Sequence, residues 1–171
     1  RFVVTHYALE AAGDGSAVPF DRLNRLAPEL GVSPLFRPAP LAGVPRLVKT
    51  HRPYAWPLAR PRAVLLVRSP LDALASYHRY WTAREGAAPV DSGTFLRDAR
   101  RGLPRWILHT RSWAPRADET VRYRDLRADP GATVGGVLRG WGVRVDEAAL
   151  ARAVERSQAP AIRALERSGG V

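Results

Sequence analysis

The first apolar pattern, Phe2-Val3-Val4 then Tyr7, Ala8, Leu9, Ala11 and Ala12, has helical spacing and is stopped by Gly13-Asp14-Gly15. It predicts a helix over 1–12, with no capping residue ahead of Arg1. Residues 20–30 predict a short helix. The stretch from Val32 to Pro45 carries four prolines and reads as a loop. Arg46-Leu47-Val48-Lys49-Thr50-His51 predicts a short strand, and Pro53, Pro57 and Pro61 mark a connector after it. Ala63-Val64-Leu65-Leu66-Val67 is a continuous apolar run, the pattern of a strand buried on both faces. It ends in Arg68-Ser69-Pro70. Ser69 suits an N-cap and Pro70 a first helical position, so a helix follows from Leu71 to about Ala83. Residues 94–114 are helical in pattern, with Pro104 interrupting or opening a segment. Glu119 to Tyr123 predicts a third strand. Asp129-Pro130 leads into a helix near 131–141, Gly142 to Val145 is a turn, and 147–167 hold one or two further helices.

Strands alternating with helices predict an α/β fold with a parallel sheet. The length, 171 residues, fits one domain over 1–171. Hydrophobic residues make up 46% and charged residues 25%, which excludes a collagen, a coiled coil and a disordered chain. No run of 18 apolar residues marks a transmembrane helix. No n-region and h-region open the chain, which points to the cytoplasm. The absence of cysteine excludes disulfides, thiolate metal sites and a cysteine nucleophile. The absence of methionine leads us to expect a fragment, whose natural start lies before Arg1.

Charge changes the picture more. The net charge of +11 calls for an anionic partner: nucleic acid, anionic lipid, or a phosphorylated or sulfated small molecule. Of the 27 basic residues, Lys49 is the single lysine. The arginine bias reads as GC-rich coding, which makes a retained lysine worth weighing.

Three constellations carry candidate chemistry. At the turn Arg68 to Ser76, a parallel strand delivers Arg68 to the carboxyl edge of the sheet, where ligands of open α/β sheets bind. The next helix aims its N-terminal N–H groups there, and Ser76 can add a hydroxyl. The bland alternative is an arginine that ends a strand and pairs with Asp72. In Lys49-Thr50-His51, residues i and i+2 of a strand share a side, so a cation and a neutral-pH base project together. The alternative is a surface pair. Tyr123, at the end of the third strand, can stack on a base or donate its hydroxyl, or simply fill the core. His6, His78 and His109 read as structural or solvated. No metal-ligand spacing and no nucleophile elbow appear.

In this order the pieces resemble the sulfotransferases that use 3′-phosphoadenosine 5′-phosphosulfate (PAPS). That family shows Lys-Thr-His-x-Pro, here Lys49-Thr50-His51-Arg52-Pro53. It shows Arg-(Asp/Asn)-x-x-Asp-x-x-x-Ser, here Arg68 to Ser76 with Ser69 in the second place. It then shows Tyr-Glu-Asp-Leu followed by Asn/Asp-Pro, here Tyr123-Arg124-Asp125-Leu126 and Asp129-Pro130. The stretch from Ala153 to Glu166 is similar to the family's later helices, with Gln158 where an aromatic often stands. The resemblance covers about 46–168. It implies a three-layer P-loop-like fold and sulfuryl transfer to a hydroxyl or amine acceptor. His51 is then the general base and Lys49 the charge-neutralising group. Arg68 and Ser76 hold the 3′-phosphate, Tyr123 and Ser157 lie near the adenine, and PAPS is the co-substrate with no metal.

The family's N-terminal 5′-phosphosulfate-binding loop and closing Gly-x-x-Gly-x-x-Lys segment are not among these residues, which is expected of a chain starting just after that loop. The acceptor, a small molecule, lipid or sugar, is expected to meet Val18–Pro45 and 84–113. A membrane surface stays open as a partner, and nucleic acid is not expected. The alternatives are a P-loop kinase or phosphotransferase, and a basic nucleic-acid-binding module.

Overall fold

The computed structural model describes residues 2–16, 18–31, 43–55, 62–83 and 88–168, the last four and Phe20 by backbone alone. In chain order the elements are α1 (Phe2–Ala11), α2 (Phe20–Leu26), β1 (Val64–Val67), α3 (Pro70–Thr82), α4 (Ser92–Arg97) and α5 (Leu103–Trp113), then β2 (Glu119–Arg122), α6 (Tyr123–Ala128), α7 (Pro130–Gly140), α8 (Glu147–Arg156) and α9 (Ala159–Ser168). The fold is mixed and helix-rich, with a small parallel sheet flanked by helices. It divides into two compact units, one of 1–51 with 125–171 and one of 52–124. Among the described residues no helix is long and apolar enough to cross a membrane.

The first unit is built round α1. Thr5, His6, Tyr7, Ala8 and Leu9 are buried in succession, so this helix is covered on every side rather than along one stripe. Tyr7 packs with Val134 and Leu138 of α7 and with Ala149, Leu150 and Ala153 of α8. Leu9 joins Val18, Leu23 and Ala27 in a second cluster. Burial of the Tyr7 hydroxyl demands partners. It donates to the Arg144 carbonyl (3.4 Å) and accepts from the Asp146 N–H (3.1 Å), which ties the turn before α8 to α1. Glu10, with only 8% of its side chain exposed, accepts from Arg152 Nε (2.8 Å) and from Arg156 Nη1. His6, 1% exposed, meets the Ser157 hydroxyl through Nδ1 at 2.8 Å.

The expected helix over 20–30 ends at Leu26. Pro28 crowds Ala27 out of the helical region, and Ala27 lies at φ −132°, ψ 73°. The expected strand 46–51 is reduced to one parallel bridge, Glu29 to Lys49. Residues 32–42 of the expected loop lie outside the described residues.

In the second unit β1 and β2 pair in parallel, Val64 with Glu119 through Val67 with Arg122. The run 63–67 does form a strand, but not one buried on both faces throughout. Leu65 is 5% exposed and Leu66 51%. Their register partners reverse this: Thr120 is exposed and Val121 buried. Partners in a parallel pair face the same side, so one face is covered over β1 and the other over β2. Ser69 caps α3, accepting from the Asp72 N–H at 3.5 Å, with Pro70 in the first turn as expected. The helical stretch 94–114 is split. The Asp98 carboxylate accepts the N–H groups of Arg100 (2.7 Å) and Arg101 (2.9 Å), a local turn that competes with the helix. Pro104 lies in the first turn of α5.

At Gly102, the N-cap of α5, an added Cβ would lie 2.5 Å from the Phe95 carbonyl oxygen and against that of Leu96. Gly102→Ala should therefore cost about 2–3 kcal/mol in denaturant unfolding. The exposed, uncrowded Gly136 in α7 offers the contrast. Gly136→Ala should stabilise by roughly 0.5–1 kcal/mol.

The first unit should also weaken in acid. Burial, then the Arg156 charge, hold His6 below its ordinary value of 6.5, with Glu10 partly opposing. Hydrogen bonds from Arg152 and then Arg156 hold Glu10 below 4.5. In both cases the unfolded chain takes up a proton that the fold refuses, so stability is full above the unfolded value and falls with pH below it. Urea midpoints should decline as pH drops through about 6.5 and again below about 4.5. His6→Gln should flatten the upper decline relative to the parent, and an unchanged slope would assign it to another group.

Candidate functional site

The parallel bridge sets Glu29 beside Lys49. The Lys49 N–H donates to the Pro28 carbonyl and the Leu30 N–H to the Lys49 carbonyl, each at 2.8 Å. Bridge partners face the same side, and Lys49 Nζ donates to Glu29 Oε2 at 2.9 Å. His51, two residues on in extended chain, turns the same way, with Nε2 3.8 Å from Glu29 Oε1. The shared side expected for Lys49 and His51 is therefore present, with a carboxylate between them. Glu29 is 19% exposed in its side chain, Lys49 36% and His51 73%. The half-buried carboxylate thus anchors two outward-facing groups.

Sequence reasoning did not single out Glu29. The available signal was Pro28, which ends α2 and puts Glu29 in extended chain.

The second cluster sits at the carboxyl ends of β1 and β2. The last register pair is Val67 with Arg122, so the next residues, Arg68 and Tyr123, emerge side by side. The Arg68 guanidinium lies over the Tyr123 ring, 4.8 Å from its centroid, and both residues are half-buried. Among the described residues Arg68 pairs with no carboxylate, Asp72 included. A guanidinium set with its planar face over an aromatic ring keeps its N–H edge for an oxyanion. The first turn of α3 begins two residues later, with its positive dipole end at the same strand ends. Tyr123 does not prolong the strand but starts α6. Ser76 lies half-buried in the second turn of α3.

Ser157, the C-cap of α8, has its hydroxyl on the buried His6 ring. Lys49, His51 and Ser157 belong to the first compact unit, and Arg68, Ser76 and Tyr123 to the second. Among the described residues no group of three His, Asp or Glu side chains is arranged to hold a metal ion. Within the second unit a guanidinium edge, a helix N-terminus and an aromatic ring lie at adjoining strand ends, and within the first unit a lysine and a histidine share one carboxylate. The chain matches no protein-family model, and no curated protein is significantly similar to it.

Proposed function

We propose that the protein transfers a sulfuryl group from PAPS to a hydroxyl or amine acceptor, on a frame of the three-layer P-loop-like type. The observation that carries this reading is the Arg68–Tyr123 pair at the adjoining carboxyl ends of two parallel strands. One basic and one aromatic side chain stacked there suit a phosphorylated purine nucleotide. Arg68 takes the 3′-phosphate through its N–H edge, with Ser76 adding a hydroxyl, and Tyr123 lies by the adenine. His51 takes the acceptor proton as the acceptor oxygen or nitrogen bonds to sulfur and the bond from sulfur to the phosphate oxygen breaks. Glu29 then faces the imidazolium that forms, the role a carboxylate plays beside a general base. Lys49 offsets negative charge on the sulfuryl oxygens and the leaving phosphate. Sulfuryl transfer, like phosphoryl transfer, depends mostly on alignment and on stabilising spread-out negative charge.

Calorimetry with 3′-phosphoadenosine 5′-phosphate tests the nucleotide site. Arg68→Ala should weaken binding by roughly tenfold or more, as expected for loss of a charged hydrogen bond. Equal binding by the variant removes the site from Arg68, and a preference for nucleoside triphosphate moves the reading to a phosphotransferase. With PAPS and a panel of phenol, sugar and lipid alcohols, His51→Ala should lower turnover by on the order of a hundredfold. Unchanged turnover would falsify the base assignment.

A further inference from the structure

Beyond sulfuryl transfer, and independent of it, the second unit holds an open groove of about 820 Å³ between α4 and α5. Its floor is apolar, made by Leu96, Leu103, Ile107 and Leu108. Three of these stay open to solvent, Leu103 at 39%, Ile107 at 40% and Leu108 at 54%. They recur at the i, i+4 and i+5 positions of α5, so they form one continuous face rather than scattered exposures.

The rim has a single sign of charge. Arg97 and Arg111 line the groove, and both are exposed. Residues 92–113 carry five arginines against one aspartate, Asp98. That aspartate is engaged by Arg101 at 2.7 Å and by two backbone N–H groups. The neighbouring Asp91 is turned to its helix as the N-cap of α4. Asp91 partly offsets the charge of Arg97, whereas Arg111 pairs with no carboxylate among the described residues, and an apolar floor with net positive charge at its edge is complementary to a molecule with an apolar tail and an anionic end.

The groove is also held in shape. The Arg52 carbonyl accepts from Trp113 Nε1 (2.9 Å) and lies 3.0 Å from His109 Nδ1, and the Tyr54 N–H donates to Ser112 Oγ (2.9 Å). The Tyr54 ring meets Trp113 edge-on. These contacts hold α5 in place, with Ser112 itself at the groove, so the open face is presented at a reduced cost of ordering. The volume suits one ligand of drug-like size.

We propose that this groove binds a single-chain anionic amphiphile, its tail along Leu103, Ile107 and Leu108 and its acidic group between Arg97 and Arg111. The probe is dodecyl phosphate below its micelle concentration, titrated by calorimetry into the whole chain. Binding is expected, with inorganic phosphate and neutral dodecyl maltoside each much weaker. Ile107→Asp with Leu108→Asp should reduce affinity by roughly thirtyfold or more, from lost apolar contact. Arg97→Gln with Arg111→Gln should reduce it by roughly tenfold, the scale of two exposed charge pairs. All four positions are exposed, and an unchanged melting temperature verifies that the variants fold.

Equal binding of the maltoside overturns the charged rim. Equal binding by the Asp variant overturns the groove. Binding only to vesicles containing phosphatidylglycerol makes the face a membrane-docking surface instead. Absence of dodecyl phosphate binding overturns the proposal outright. The nucleotide titration is separate, so its failure beside a positive result here would remove sulfuryl transfer and leave the groove standing.

Discussion

Two parallel strands cannot be joined by a tight turn, and the second unit is organised by that constraint. The chain leaving Val67 must travel back along the sheet before Glu119 can pair with Val64. Helices α3, α4 and α5 occupy that return path, and α5 packs against β1. The same constraint places both carboxyl ends at one edge. Arg68 and Tyr123 are distant in sequence and neighbours in space only because the register ends with Val67 opposite Arg122. The cationic and aromatic halves of the proposed nucleotide site thus follow from backbone pairing before any side chain is considered.

The first unit answers a different demand. A helix that is apolar all round has to be covered all round, and α1 is met by α2, α7 and α8. Polar groups carried into that cover must bring partners. Tyr7, Glu10 and His6 each do so, and all five partners lie in the stretch from Arg144 to Ser157. Breaking one of these pairs strands the other member in a poorly solvated place, which costs more than the pair contributes when made. The contacts therefore specify which face of α8 meets α1.

Seen through these two constraints, charge is distributed with purpose in a few places. Glu10 and Glu29 are largely covered carboxylates, and each is gripped by two basic side chains. On α4 and α5 the arginines outnumber the available acids, and an apolar floor lies between them. At Glu10 the charges are satisfied within the fold, while at Glu29 the two basic groups face outward.

The local elements were legible in the residues alone. Ser69 with Pro70, Asp129 with Pro130, and the apolar run at 63–67 act within one or two turns of themselves, so neighbours in sequence suffice to read them. The common side of Lys49 and His51 was likewise a matter of extended-chain period. The extent of α2 was misjudged because Pro28 acts backwards on Ala27, and 94–114 because a carboxylate at Asp98 captures its own backbone. Glu29 beside Lys49, Ser157 on His6 and the stacking of Arg68 on Tyr123 were not readable. Each joins segments that sequence leaves 20 or more residues apart, and only the closing of the chain decides which meet. The opposite cover on the two faces of the sheet belongs with them, since an apolar run declares that a strand prefers burial but not which helix arrives to bury it.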